Sequence, residues 1–360
     1  MHLYLYYLCV GFHYYNNIIM KKIKTKYFLL PIAVCFMAVS GLLYFYFLTN
    51  FSQYDNTQYV LIDQDDDVDS VIAKMEPIAK KHSMKALRTL IRHTNYPKHI
   101  HTGRFAITAN LSSYDVFRAL KSGRQQPMML TIPECRTMDK LAAQLAKRLM
   151  LDSATIASAL YNHDITAKYG YDTTTIACMF VPNTYEIYWD VSLDAFLKRM
   201  KKEHDNFWEG NRQAKASEMG LTPNEVCTLA SIIDEETANN NEKPMIAGMY
   251  LNRLKTEMPL QADPTVKFAM KRFELKRIYH DMLFYDSPWN TYRNTGLPPG
   301  PIKVASVKGI DAVLNHANHD FLYMCAKDDF SGTHVFAHTY KEHLNNAAKY
   351  TKALNERGIK

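Results

Sequence analysis

Before residue 51 the chain has no acidic residue, and beyond that point it has no run of lysine or arginine. Lys and Arg number 43 against 36 Asp and Glu; four of the lysines lie in the acid-free stretch, which leaves a body of 39 against 36. That near balance argues against nucleic acid as the main partner, because neutralising a phosphate backbone takes clustered positive charge. Glycine and proline are sparse, 13 and 14 of 360 residues, while 47% of positions are apolar and 12% aromatic. Disordered, collagen-like and mini-protein classes are thereby excluded. The six cysteines, at 9, 35, 135, 178, 227 and 325, show no C-x-x-C spacing, and there is no H-E-x-x-H. Neither a metal nor a redox cofactor is expected. Cys135, Cys178, Cys227 and Cys325 read as isolated, half-buried thiols, with pairing open to some of them if the body is exported. No internal repeat or low-complexity tract is present.

What is there begins with an apolar run. Tyr27 to Leu48 is 22 residues without a charge. At ~1.5 Å per residue it spans ~33 Å, against a hydrocarbon layer of ~30 Å. Lys21, Lys22, Lys24 and Lys26 precede it, and Thr49 to Asp69 holds no Lys or Arg. The positive-inside rule then puts the N-terminus in the cytoplasm and the body outside, in a single-pass inner-membrane protein. A signal peptide cut at Ala38-Val39-Ser40 is the rival, but that cut leaves Leu42 to Leu48 as an exposed apolar tail. The first 19 residues carry five tyrosines and no charge, so Met20-Lys21-Lys22 reads as the true start and residues 1–19 as a mis-assigned extension.

The pattern beyond the anchor predicts an α+β chain. Residues 50–60 read as a polar, aromatic stalk, Tyr59–Ile62 as a strand, and Asp63 to Asp67 as a solvated turn capping the next helix, not a calcium loop. Helical spacing runs through Val71–Ala79 and Met84–Ile91 around Pro77. Gly103 to Ala109 looks extended, and Ser112 caps a helix that ends near Gly123. Residues 49–125 therefore form a stalk and a small α/β unit, followed from residue 126 to 360 by a mainly helical domain with short β segments. Within it Leu130–Pro133 and Met179–Tyr188 are β-biased, and helices are expected after Thr137, over Asp152–Tyr161, and around Phe196 and Met200.

Thr222-Pro223-Asn224-Glu225 is a capping box with proline at the first helical position, so a helix starts there. With Leu229 set to zero on a helical wheel, Val226, Ile233 and Ile232 fall at about +60°, +40° and −60°, and Glu236 at about −20°. Asp234 and Glu235 fall at about +140° and −120°, away from that arc. Glu236 alone of the three acids projects from the apolar stripe, where burial raises a carboxyl pKa and lets it hold a proton as a general acid. Asp234 and Glu235 are expected to be dispensable for activity. A structural Glu bonded to amides or to an arginine is the bland alternative.

Further motifs follow in order: Ala247-Gly248-Met249-Tyr250-Leu251-Asn252-Arg253-Leu254, Met258-Pro259-Leu260-Gln261-Ala262-Asp263-Pro264-Thr265-Val266, Asp286-Ser287-Pro288-Trp289-Asn290-Thr291-Tyr292 and Gly296-Leu297-Pro298-Pro299-Gly300-Pro301-Ile302. Together with Leu229 to Thr237, Thr131-Ile132-Pro133-Glu134, Pro182-Asn183-Thr184-Tyr185 and Gly332-Thr333-His334-Val335-Phe336, the chain resembles the YceG-like family of endolytic murein transglycosylases over roughly residues 126 to 345. Glu236 matches the family's catalytic acid. The chain departs from the family pattern at Glu235, where a basic residue is usual, at Cys135 in place of glycine and at Asn183 in place of aspartate.

The resemblance implies a LysM-like unit at 49–125 and a lytic-transglycosylase-type catalytic domain at 126–360. It implies cleavage of peptidoglycan glycan strands without water to give anhydromuramyl ends, terminating strand elongation, with cell-wall synthases or divisome proteins as partners. No cofactor is implied. Gln261, Asp263, Thr265, Asn290 and Tyr292 are the expected substrate contacts. Asp263 and Asp286 also fit plain turn or cap chemistry, and Asn290 with Tyr292 a packed turn. Two alternatives remain: a two-carboxylate hydrolase using Asp263 as the second acid, and a non-catalytic murein-binding divisome scaffold. His334 and His338, four apart in a β-biased run, are too distant to share one ion. His316, His319 and His343 read as surface residues.

Overall fold

The computed structural model describes residues 2–275 and 277–358. The reading of Met1 as a mis-assigned start lies outside the described residues. The chain divides into two compact units, Met1–Gln126 and Pro127–Lys360.

The first unit opens with helix α1 (His2–Leu43), which passes into a π-helical turn over Tyr44–Leu48. Within them Leu29–Leu48, with mean hydropathy 2.0, is long and apolar enough to cross a membrane. The antiparallel strands β1 (Gln58–Ile62) and β2 (Gly103–Ile107) pair Val60 with Phe105, and helices α2 (Val68–Met75) and α3 (Lys81–Arg92) lie between them in sequence. Helix α4 (Ser113–Lys121) follows, its capping box formed by Ser112 and Asp115. The Asp-rich turn does cap α2: the Asp67 carboxylate accepts from the Ser70 amide at 2.8 Å.

Residues 50–53 are not a free stalk. Phe51 is fully buried among Ile62, Val71, Met75 and Leu87, and its amide donates to the Leu111 carbonyl at 2.7 Å while its own carbonyl accepts from Lys80 at 2.8 Å. Burying a phenylalanine contributes about 1.5–3 kcal/mol, enough to order a short polar stretch around it. Just before it, Phe45 stacks on His82 with ring centroids 4.3 Å apart, and the Thr49 hydroxyl lies 3.0 Å from His82 Nε2.

The second unit is mainly helical. Strands β3 (Met128–Thr131) and β4 (Thr184–Ile187) pair antiparallel with Leu130 opposite Tyr185, and α5 (Met138–Ala146), α6 (Ser153–Leu160) and α7 (His163–Ala167) connect them. Then come α8 (Leu193–Trp208), α9 (Asn211–Glu218), α10 (Pro223–Glu236), α11 (Lys243–Lys255), α12 (Asp263–Ala269) and α13 (Val307–Leu314). A ribbon of β5 (Tyr323–Ala326) and β6 (His334–Ala337) and the helix α14 (Tyr340–Glu356) complete it. Helix α10 is the axis of this unit: every residue from Val226 to Ile233 is buried, and α11 and α13 pack against it. Its start is the capping box read from the sequence, Thr222 and Glu225 each bonding the other's backbone amide.

Two of the thiols are not isolated. Cys178 and Cys227 are buried neighbours, and hydrogen bonding with Cys227, together with burial, pushes the Cys178 thiol well above its usual range. His319 is likewise no surface residue, since its Nε2 lies 2.9 Å from the Met245 carbonyl oxygen and its Nδ1 accepts from the Phe321 amide.

Candidate active site

Helix α10 ends at Glu236, and its carboxyl enters a cavity of about 220 Å³. Tyr250 of α11, 1% exposed, donates its hydroxyl to Glu236 Oε1 at 2.6 Å. Burial pushes the Glu236 carboxyl up from 4.5 to about 7; the Tyr250 hydrogen bond pulls it down, and the negative charge of Asp263 pushes it further up. The acid is therefore close to half-protonated at neutral pH, the condition under which one group can both give and take a proton.

Opposite α10 the cavity is walled by Gln261, Asp263 and Tyr292. Asp263 opens α12 and accepts from the Tyr292 hydroxyl at 2.6 Å, and burial pushes that phenol far above its usual value. Gln261 has φ 49°, in the left-handed region that a side chain rarely adopts. Strain of this kind persists only where surroundings over-determine it, and here the Gln261 amide donates to the Thr291 carbonyl at 3.0 Å.

Thr265 and Asn290 do not reach the cavity. Thr265 is fully buried and spends its hydroxyl on the Ala262 carbonyl at 2.6 Å and on the Thr291 hydroxyl at 2.9 Å. Asn290, also fully buried, donates to the carbonyls of Leu283 and Tyr285 and accepts from the Tyr292 amide. A buried polar side chain takes whatever partner is nearest, and for both residues that partner is loop backbone or a neighbouring threonine. They hold the loop that presents Gln261, Asp263 and Tyr292.

The two acids preceding Glu236 differ from the wheel's expectation. Asp234 is buried, its side chain 2% exposed, and it accepts from Lys243 Nζ at 2.7 Å and from the Ser306 amide and hydroxyl at 2.6 and 2.8 Å. The face away from the α10 arc is not solvent, because α11 and α13 cover it. Glu235 is 16% exposed and accepts both of its hydrogen bonds from Arg136 Nε at 3.0 Å.

Among the further residues that line the cavity, Arg253, His334 and Tyr250 carry hydrogen-bonding side chains that the sequence pattern did not mark for it. Arg253, 7% exposed, donates to the carbonyls of Leu322, Pro259 and Leu260 and so joins the cavity's two edges. His334 of β6 is held by Glu242, with Nδ1 at 3.0 Å from Oε2. Tyr250 completes the set. Among the described residues no group of histidines, cysteines and acids is arranged to hold a metal ion.

The YceG-like family pattern matches residues 60–349, most of the chain. The chain belongs to the YceG-like family. An endolytic murein transglycosylase of Bacillus subtilis (strain 168) is 38% identical over 168 residues, covering 47% of this chain and 46% of that one. One of Streptococcus pneumoniae serotype 2 (strain D39 / NCTC 7466) is 27% identical over 300 residues, covering 73% of this chain and 52% of its own length. This chain thus spans about half the length of the curated relatives it matches. A crystal structure of a YceG-like protein from Listeria monocytogenes superposes with a TM-score of 0.52 at 24% identity, covering 81% of this chain and 99% of that one. That likeness is one of fold. Glu236 and the other residues that line the cavity lie within the matched range of this YceG-like chain.

Proposed function

We propose that this YceG-like protein is a membrane-anchored lytic transglycosylase acting on peptidoglycan glycan strands. The observation that carries the reading is a single carboxyl, Glu236, raised to about 7 and hydrogen-bonded by Tyr250 inside a cavity. Protonated Glu236 donates to the bridging oxygen after N-acetylmuramic acid as the glycosidic bond breaks through an oxocarbenium-like transition state. The resulting carboxylate accepts the proton of the muramyl C6 hydroxyl, whose oxygen closes on the anomeric carbon. The ring closure is intramolecular, so its effective molarity is high and no water is consumed. Gln261, Asp263 and Tyr292 are the substrate contacts in this reading, and the small α/β unit is a LysM-like murein-binding module.

In this reading the apolar helix is a single-pass anchor in the inner membrane, with the N-terminus in the cytoplasm and the second unit outside, beside the synthases or divisome proteins that make the strand; the length and apolar composition of Leu29–Leu48 support it. The test is mass spectrometry of digested sacculi. Wild type leaves anhydromuramyl ends, and Glu236→Gln lowers the rate by at least ~10²-fold, the lower end for general acid catalysis. Asp263→Asn arbitrates between classes: an equal loss, with reducing ends one water heavier, means a two-carboxylate hydrolase.

A further inference from the structure

The second unit holds another and larger cleft, about 430 Å³ against about 220 Å³ at Glu236. Arg136, Lys271, Lys303, Phe268, Phe273 and Trp289 stand in its wall. A smaller depression shares Arg136, Phe268 and Phe273 with it and adds Glu235, Pro264 and Lys267. The smaller depression, not the larger cleft itself, is one residue from the catalytic cavity on two elements: Glu236 and Asp263 line the cavity, and Glu235 and Pro264 line the depression that shares a wall with the larger cleft.

We propose that this cleft binds the peptide arm carried by the muramic acid whose glycosidic bond is cut. The inference rests on the murein reading above and names the part of the substrate that reading leaves unplaced. The arm leaves the muramyl ring through the lactyl group on C3, two ring carbons from the anomeric carbon at the cut. Wherever Glu236 reaches the glycosidic oxygen, the arm must begin close by, and the smaller depression, lined by Glu235 and Pro264, leads from there to the larger cleft.

The chemistry of the wall fits such an arm. Four cations, Arg136, Lys267, Lys271 and Lys303, stand against two acids, Asp139 and Glu235, across the cleft and its extension. Arg136 and Lys303 are engaged by Glu235 and Glu134, whereas Lys267 and Lys271 take part in no ion pair among the described residues. The surplus favours an anionic ligand, and a stem peptide with its side-chain and terminal carboxylates is one.

The floor is aromatic: Phe268 lies 5.8 Å from Trp289 and 6.3 Å from Phe273 by ring centroids. Trp289 Nε1 is buried without a hydrogen-bond partner. The volume is within the range of small-ligand sites, about 300–1,000 Å³.

Calorimetry on the full chain carrying Glu236→Gln, which binds without turning over, tests the proposal with three probes. These are the N-acetylglucosaminyl-N-acetylmuramic acid disaccharide bearing a stem tetrapeptide, the bare disaccharide, and the free tetrapeptide. The peptide-bearing probe should bind at least tenfold more tightly than the bare one. Adding Lys271→Glu should cut that advantage to threefold or less, and Trp289→Ala, which removes part of the aromatic floor, should reduce it as well. Equal affinity for the two disaccharides, or an advantage that survives Lys271→Glu, overturns the assignment while leaving the catalytic reading intact. Failure of the wild-type chain to leave anhydromuramyl ends on sacculi is a different result: the murein reading falls, and this assignment with it.

Discussion

Burial raises the Glu236 carboxyl, and Tyr250 and Asp263 then act on it in opposite directions. A hydroxyl donating to a carboxylate favours the charged form and lowers its pKa, while a neighbouring negative charge raises it. With the acid at about 7, the rate should fall as pH rises through 7, with the loss of one proton. Tyr250→Phe removes the donor, so the alkaline limb of the kcat/KM profile should move to higher pH; a limb that moves down, or stays, contradicts the assignment.

The same shift has a consequence for stability. Between 4.5 and about 7 the native state keeps a proton that the unfolded chain has released, so stability falls with rising pH by about 1.4 kcal/mol per unit across that window. Glu236→Gln abolishes this dependence. Urea melts at pH 8 should show the variant gaining up to roughly 3 kcal/mol relative to its standing at pH 4. Glu236 stood out in the sequence because Val226, Leu229, Ile232 and Ile233 fall on one arc of the wheel with it, although α10 itself is buried on every side. Tyr250 did not, because the apolar residues of α11 from Ile246 to Leu251 run in one unbroken sequence stretch and mark no single arc to say which face meets the acid.

At the scale of elements, the end of α10 is held by Asp234, which joins Lys243 of α11 to the start of α13. Lys243 and Asp234 have side chains 7% and 2% exposed. Removing one partner of a buried pair leaves an uncompensated charge and costs about 3–5 kcal/mol. Asp234→Asn should therefore lower stability by about 3 kcal/mol or more, contrary to what the wheel implied, and lose activity in proportion to the folded fraction.

Gly309 tests the same joint from the other side. A Cβ there would stand 2.6 Å from Asp234 Oδ1 and 2.9 Å from its Cγ, and Asp234 has no room to retreat while Lys243 and Ser306 hold it. Gly309→Ala should cost about 1–3 kcal/mol as overpacking, read as a lowered melting temperature. The start of α10 was visible in the sequence because a capping box is local. The anchoring of its far end was not, because the partners lie 9 and 72 residues away along the chain. Thr265 and Asn290 misled for a related reason: a polar residue flanked by cavity-lining neighbours has the same local signature whether it points to substrate or to its own loop.

On the scale of the whole molecule, two apolar clusters share no residue: one runs from Phe51 to Leu120, the other from Leu130 to Leu314. Each has its own strands, caps and buried aromatics, which is the condition for a unit to fold by itself. The boundary was readable as a change of pattern near residue 125, whereas the burial of Phe51 was hidden in a stretch whose composition is polar. Residues 127–360 expressed alone should therefore give a single cooperative thermal transition and cleave short soluble glycan strands at a rate within about threefold of the full chain, since Glu236, Tyr250, Gln261, Asp263 and Tyr292 all belong to that unit. Co-sedimentation with sacculi should weaken, because the α/β unit proposed to grip murein is gone. Cutting instead at residue 56, inside the first unit, removes Phe51 from its core and should leave residues 57–126 partly unfolded, with 127–360 still cooperative. If the 127–360 fragment lacks a cooperative transition, or if removing Phe51 leaves the first unit's melting unchanged, the two-core organisation is wrong.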